Sequence, residues 1–135
     1  MATNKLSLAI TELLTHQRAD DAAGIARDKR CLEYVRGALG AVGLKLPPPT
    51  AENTALANYE ELVGDPGKYG FKQIHSPLTG VCLVYFGNCG KLPDGRIAGH
   101  IAILNADKKI TISNQNYTFT QWWADRIVGA FVPAE

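Results

Sequence analysis

The 135-residue chain carries 14 Lys and Arg against 13 Asp and Glu, a formal net charge of +1. That balance gives no global attraction to nucleic acid or to an anionic membrane, and no run of like charges or basic stripe interleaved with aromatics argues otherwise. With 46% hydrophobic and 20% charged residues, the composition is that of one globular domain, long enough to bury a core without staples.

Residues 1–14 lack the charged head and uninterrupted apolar run of a signal peptide, and no apolar stretch reaches the roughly 20 residues of a membrane span. The expectation is a chain made in a cytoplasm without an export tag, and no membrane insertion. Leu6, Ile10, Leu13 and Leu14 mark one face of a first helix, which the small and polar residues 19–24 break. A second helix follows, with Asp28 as cap and Lys29 and Arg30 as its first residues. Cys31, Tyr34, Val35, Ala38, Leu39 and Val42 then keep helical spacing until Gly43 and three prolines. Thr50 is placed to cap a third helix over residues 51–63.

From there the period changes to that of strands. Residues 71–75, 81–86, 97–104, 109–114 and 127–132 read as strands punctuated by Gly, Pro, Asn and Asp, with a helical turn at 121–125. Helices first and strands afterwards predict an α+β fold, helices packed on an antiparallel sheet of about five strands.

Three cysteines, Cys31, Cys82 and Cys89, form neither a disulfide framework nor a Cys-x-x-Cys pair. No metal and no organic cofactor are expected. Cys31 falls in the first turn of a helix, where free N–H groups, the dipole and nearby Lys29 and Arg30 favour a thiolate. Cys82 reads as strand core and Cys89 as a loop residue with no helix terminus to activate it. Among the histidines, His100 follows Gly99 and alternates with Ile101 and Ile103. His16 is placed at the end of the first helix and His75 on the surface. A nucleophile–base pair commonly has a third group to hold the imidazole. A three-residue hairpin turn places Asn114 opposite His100, and a two-residue turn places Ser113 there.

In this order the residues resemble the CHAP family of cysteine, histidine-dependent amidohydrolases and peptidases. Cys31-Leu32-Glu33-Tyr34-Val35 is similar to that family's Cys-x-x-Tyr-Val helix start, Gly99-His100-Ile101-Ala102-Ile103 to its histidine strand, and residues 110–117 to the following strand, where Glu-x-Asn is frequent. NlpC-type peptidases are a near neighbour, because Asn stands at 114 and the Asp often found before the 81–86 strand is absent.

The resemblance covers residues 25–132 of a single catalytic domain (1–135), with 1–24 as an N-terminal helix and loop. It implies a papain-like fold with Cys31 as nucleophile, His100 as base and Asn114 as orienting group. Asn116, Tyr34 and Trp122 then serve the substrate side or support the catalytic groups. It further implies a monomeric peptidoglycan hydrolase of the phage-endolysin type, without cofactor, acting on the periplasmic or extracellular wall. Residues 23–27 are the expected source of a second oxyanion donor. Three alternatives stand beside it. One is a toxin effector with the same amidase chemistry. Another is an inert papain-like virion or wall-binding module, with Tyr117, Phe119, Trp122 and Trp123 as a binding patch. The third is deubiquitinase- or transglutaminase-like chemistry on the same fold.

Overall fold

The computed structural model describes residues 2–49 and 53–134, with side chains from residue 5 onward. Three helices, α1 (Ala2–Ala23), α2 (Cys31–Ala41) and α3 (Ala55–Gly64), precede the sheet. Six strands follow: β1 (Phe71–Ile74), β2 (Val81–Phe86), β3 (His100–Asn105), β4 (Ile110–Ile112), β5 (Asn116–Thr118) and β6 (Ile127–Pro133), with α4 (Gln121–Ala124) before the last. Every pairing is antiparallel, in the order β1-β6-β2-β3-β4-β5. The α+β expectation therefore holds, with six strands rather than about five. The extra strand, β5, is short and exposed, so it lacks the apolar alternation that would have announced it.

Strand alternation divides the core in two. Leu83, Tyr85, Ile101, Ile103 and Phe131 face the helices and join Leu6, Leu13, Val35 and Leu39 in one cluster. Cys82, Val84, Phe86, Ala102 and Leu104 form the opposite face, with Trp123 and Phe119 packed against it. The helical spacing read from Cys31 onward is the buried stripe of α2: Leu32, Tyr34, Val35, Ala38 and Leu39. Full burial of each large aliphatic in it stabilises the fold by about 1.5–3 kcal/mol, which more than offsets the missing cap described below.

Three local expectations are corrected. First, α1 does not break at residue 19. It runs on to Ala23 and stops where Gly24 takes φ +71, because Gln17 and Asp20 are buried against partners from distant chain. His16 is therefore inside the helix and stacks on Tyr34 at 4.1 Å. Second, α3 begins at Ala55, capped by the Thr54 hydroxyl accepting from the Ala57 N–H at 3.1 Å; the cap expected at Thr50 lies outside the described residues. Third, the β3–β4 connection is neither of the two turns considered. Asn105 pairs with Ile110 across a four-residue loop, residues 106–109, and Lys109 supplies the positive φ (+52) in place of a glycine. Continued in that register, Gln115 rather than Asn114 or Ser113 would face His100, but pairing ends at Ile112.

Candidate active site

α2 starts at Cys31, two residues later than its sequence suggested. Arg30 is the N-cap residue and gives no side-chain cap hydrogen bond. Asp28 is not the cap: it sits in the turn before the helix, where Lys29 takes φ +62, and accepts from Gln115 Nε2 at 3.3 Å. The first amides of α2 thus remain available. The N–H groups of Ile101, Leu32 and Cys31 itself lie against the Cys31 sulfur.

Cys31, Cys89, His100, Asn114, Trp122 and Trp123 line one cavity of about 580 Å³. It opens where α2 begins, β3 begins and the β2–β3 loop folds back. That loop is tightly hydrogen-bonded: Cys89 O accepts from the Gly99 N–H at 3.0 Å, and Gly90 O from the Ala98 N–H at 2.7 Å. Gly99 at φ +78 is required here, since a Cβ would lie 2.6 Å from Leu56 Cγ and 2.8 Å from Phe86 O.

His100 pairs with Phe86 across the β2–β3 ladder and lies on the face away from the helices. Its ring stacks with Phe86 at 6.0 Å, lies tilted against Trp123 at 5.4 Å, and Tyr117 meets it edge-on at 6.1 Å. Cys31 reaches the cavity from the helix side of the same strand end. His100 Nε2 is buried without a hydrogen-bond partner, so no thiol–imidazole hydrogen bond is made through that nitrogen.

Burial governs the electrostatics. It pushes the Cys31 thiol up, and the surrounding backbone N–H groups offset this only in part. It pushes the His100 imidazole down to about 4. Both groups are therefore neutral near pH 7, a correction to the thiolate that the helix start suggested. Arg30, expected to add positive charge beside the thiol, is bound elsewhere: it donates to Asp20 at 3.0 Å and to Ala26 O at 2.9 Å, and pairs with Glu33.

Of the other residues singled out, Asn114 lines the cavity and is buried. Its Nδ2 donates to Arg27 O at 2.8 Å, while its own carbonyl accepts from Arg27 Nη1 at 2.8 Å. No described hydrogen bond joins it to His100, and Asn114 Oδ1 is buried without a partner. Ser113 is buried and its hydroxyl donates to Cys31 O at 3.5 Å. Trp122 stands half-exposed at the cavity lip with the Arg126 guanidinium 3.6 Å from its ring centre. Tyr34 is fully buried away from the cavity, its hydroxyl donating to Asp20, and Asn116 is exposed and exchanges hydrogen bonds with Gln17. Neither lines the cavity: Tyr34 ties α2 to α1, and Asn116 ties β5 to α1. Residues 23–27 do not line it either. Cys82 is buried in β2 and His75 is exposed, as expected.

Sequence reasoning gave little weight to Cys89, yet Cys89 is half-buried in the cavity wall. The available signal is its Gly-Asn-Cys-Gly loop, because Gly90 permits the close approach to Gly99. Among the described residues no group of three or more metal-ligating side chains gathers, and no helix is long and apolar enough to cross a membrane.

No protein-family model matches the chain, and no curated protein matches it in sequence. Among solved structures it is similar to a chain of the type VI native effector-immunity complex Tae3-Tai3 from Ralstonia pickettii, with TM-score 0.54 and 20% identity, over 100% of this chain and 99% of that one. A likeness at that identity is one of fold. The architecture is α+β and papain-like, a cysteine-headed helix packed on an antiparallel sheet that carries a histidine at the start of a strand.

Proposed function

We propose that this chain is a peptidoglycan-cleaving cysteine amidase or endopeptidase that acts as a toxin effector. The observation that carries the reading is that Cys31, at the start of α2, and His100, at the start of β3, both line one cavity. The fold likeness to a chain of an effector-immunity complex favours the effector over the phage lysin that the CHAP resemblance suggested first. A cognate immunity protein is then the natural partner, and the periplasmic wall of a rival cell the place of action.

The chemistry is acyl transfer from a neutral resting pair. As the scissile carbonyl enters, the Cys31 thiol turns toward His100 and gives its proton to Nε2, the acceptor left unspent in the resting protein. Sulfur attacks the carbonyl carbon, and the oxyanion is held by the free N–H groups at the start of α2. The imidazolium returns the proton to the leaving amine, and a water activated by His100 releases the acyl group. Asn114 Oδ1, also unspent, is the acceptor assigned to steady the imidazolium.

The test is digestion of purified peptidoglycan with identification of the new termini by mass spectrometry. The wild type should release muropeptides, whereas folded Cys31→Ser and His100→Ala proteins should not. A second reading is an inert papain-like module, supported by the absence of Cys31–His100 and His100–Asn114 hydrogen bonds through the atoms named. A folded wild type that cuts no peptidoglycan chemotype would favour it.

A further inference from the structure

The charged groups around the cavity are mostly spent on one another. Arg27 pairs with Asp21 at 3.0 Å, Arg30 with Asp20 and Glu33, and Arg96 with Asp94 at 2.7 Å. Two of the lining residues, Lys29 and Lys91, have no carboxylate within ion-pair reach among the described residues. The one carboxylate among the described lining residues, Glu33, is bound to Arg30.

The two lysines stand on different walls, and both are mounted on ordered backbone. Lys29 occupies the turn before Cys31, which is pinned to the β4–β5 loop by the reciprocal Arg27–Asn114 hydrogen bonds and by Gln115 on Asp28. Lys91 bridges to Ile97 at the base of a small hairpin closed by the Leu92 N–H on Arg96 O at 2.7 Å. A non-glycine residue held at positive φ beside a nucleophile is the kind of strain that persists where the surrounding structure over-determines it.

We propose that this cavity selects a peptide carrying carboxylates on both sides of the reacting amide, with Lys29 and Lys91 as the groups that read them. The inference rests on the hydrolase reading and narrows it. The preferred stem peptides are those with free side-chain and terminal carboxylates, and amidation of those carboxylates is the modification that evades the enzyme. Both lysines are exposed, so they act by water-screened attraction, worth up to about 1 kcal/mol or fivefold each, and the preference weakens with salt.

The test uses the full chain with Cys31→Ala, so that binding is read without turnover through the fluorescence of Trp122 and Trp123 at the cavity wall. A synthetic stem tetrapeptide with free carboxylates and its fully amidated counterpart are the two probes. The expected result is tighter binding of the free-carboxylate peptide, roughly fivefold or more. That preference should fall toward unity in Lys29→Gln/Lys91→Gln and reverse or vanish in Lys29→Glu/Lys91→Glu, with circular dichroism confirming the fold. Equal binding of the two peptides, or an undiminished preference in the double variants, overturns the proposal. A binding preference that holds in Cys31→Ala while the wild type cuts no peptidoglycan chemotype supports the carboxylate site and defeats the hydrolase reading alone.

Discussion

Burial of His100 makes stability fall with acid in a window that no other group so clearly commands. The imidazole is held at about 4 in the folded chain against 6.5 when unfolded. Between those values the unfolded state binds the proton and the folded state does not, so stability is complete above pH 6.5 and declines as pH falls toward 4. From pH 7.0 to 5.0 the linkage integral gives a loss of about 1.8 kcal/mol, and the full shift is worth about 3 kcal/mol. Urea unfolding at the two pH values should move the midpoint by roughly 1 M for a slope near 1.5–2 kcal/mol/M. The carboxyls of Asp20, Glu33 and Asp94 are held low by their partners, and their contribution is lost chiefly below pH 4.5. The His100→Gln variant keeps them, and keeps His16 and His75, while removing the imidazole. Its absolute stability will be lower, but its midpoint should shift much less than the wild type's from pH 7.0 to 5.0. A His100→Gln midpoint that shifts as far as the wild type's would show that His100 is not the buried neutral base described here.

The same electrostatics predict thiol behaviour: absorbance at 240 nm should show no thiolate at pH 7, and alkylation should be slow there and rise with alkali, since burial raises Cys31, Cys82 and Cys89 alike. Rapid modification of one cysteine at pH 7 would contradict the burial account. If the chain cuts peptidoglycan, the acid limb of kcat/KM should lie near 4, the free-enzyme value of His100; a limb near 6.5 would refute it. Gly99→Ala should cost about 2–4 kcal/mol in urea unfolding, from positive φ plus contact with Leu56 and Phe86 O, and a neutral result would mean that the β3 start yields easily. Tyr85→Phe should cost about 1–3 kcal/mol, because it strips Asn58 Oδ1 of the buried hydroxyl that donates to it at 2.5 Å; an unchanged midpoint would mean that water replaces that donor.

Local periodicity carried the parts of this fold that depend on a single face. The α2 stripe and the alternation of His100 with Ile101 and Ile103 are patterns one element long, and both stand in the structure. What periodicity missed depends on partners far along the chain. The end of α1 looks polar because Gln17 meets Asn116 and Ser113, and Asp20 meets Arg30 and Tyr34; buried hydrogen bonds replace the apolar signal there. The β3–β4 register escaped because Lys109 adopts a conformation usually given to glycine. Motif position points to Tyr34 and Asn116 as site residues, whereas both spend their polar atoms on α1.

The resting state of Cys31 shows which of two opposed effects prevails. A charge at a helix start gains typically 0.3–1 kcal/mol, up to about 2 in partly buried geometry, whereas taking an ion out of water costs several kcal/mol unless it is paired. The sulfur is largely buried, and the cation nearest in sequence, Arg30, has already been committed to Asp20 and Glu33. With dipole and backbone N–H groups alone to oppose desolvation, the neutral thiol is the stable form. The same sum explains why Arg30, although it lines the cavity, spends its charge on Asp20 and Glu33 rather than on the thiol. Asp20 is buried between α1 and α2 and needs a cation, and Arg30 at the junction of the two helices supplies it, fixing the chain one residue before the nucleophile. In this arrangement α1 is more than a cover for the sheet: through Asp20 and Gln17 it sets the position of Cys31 from one side and of the Ser113–Asn116 segment from the other. Removing α1 would therefore strip Arg30 and Tyr34 of Asp20 and at the same time release the segments that carry Cys31 and Asn114.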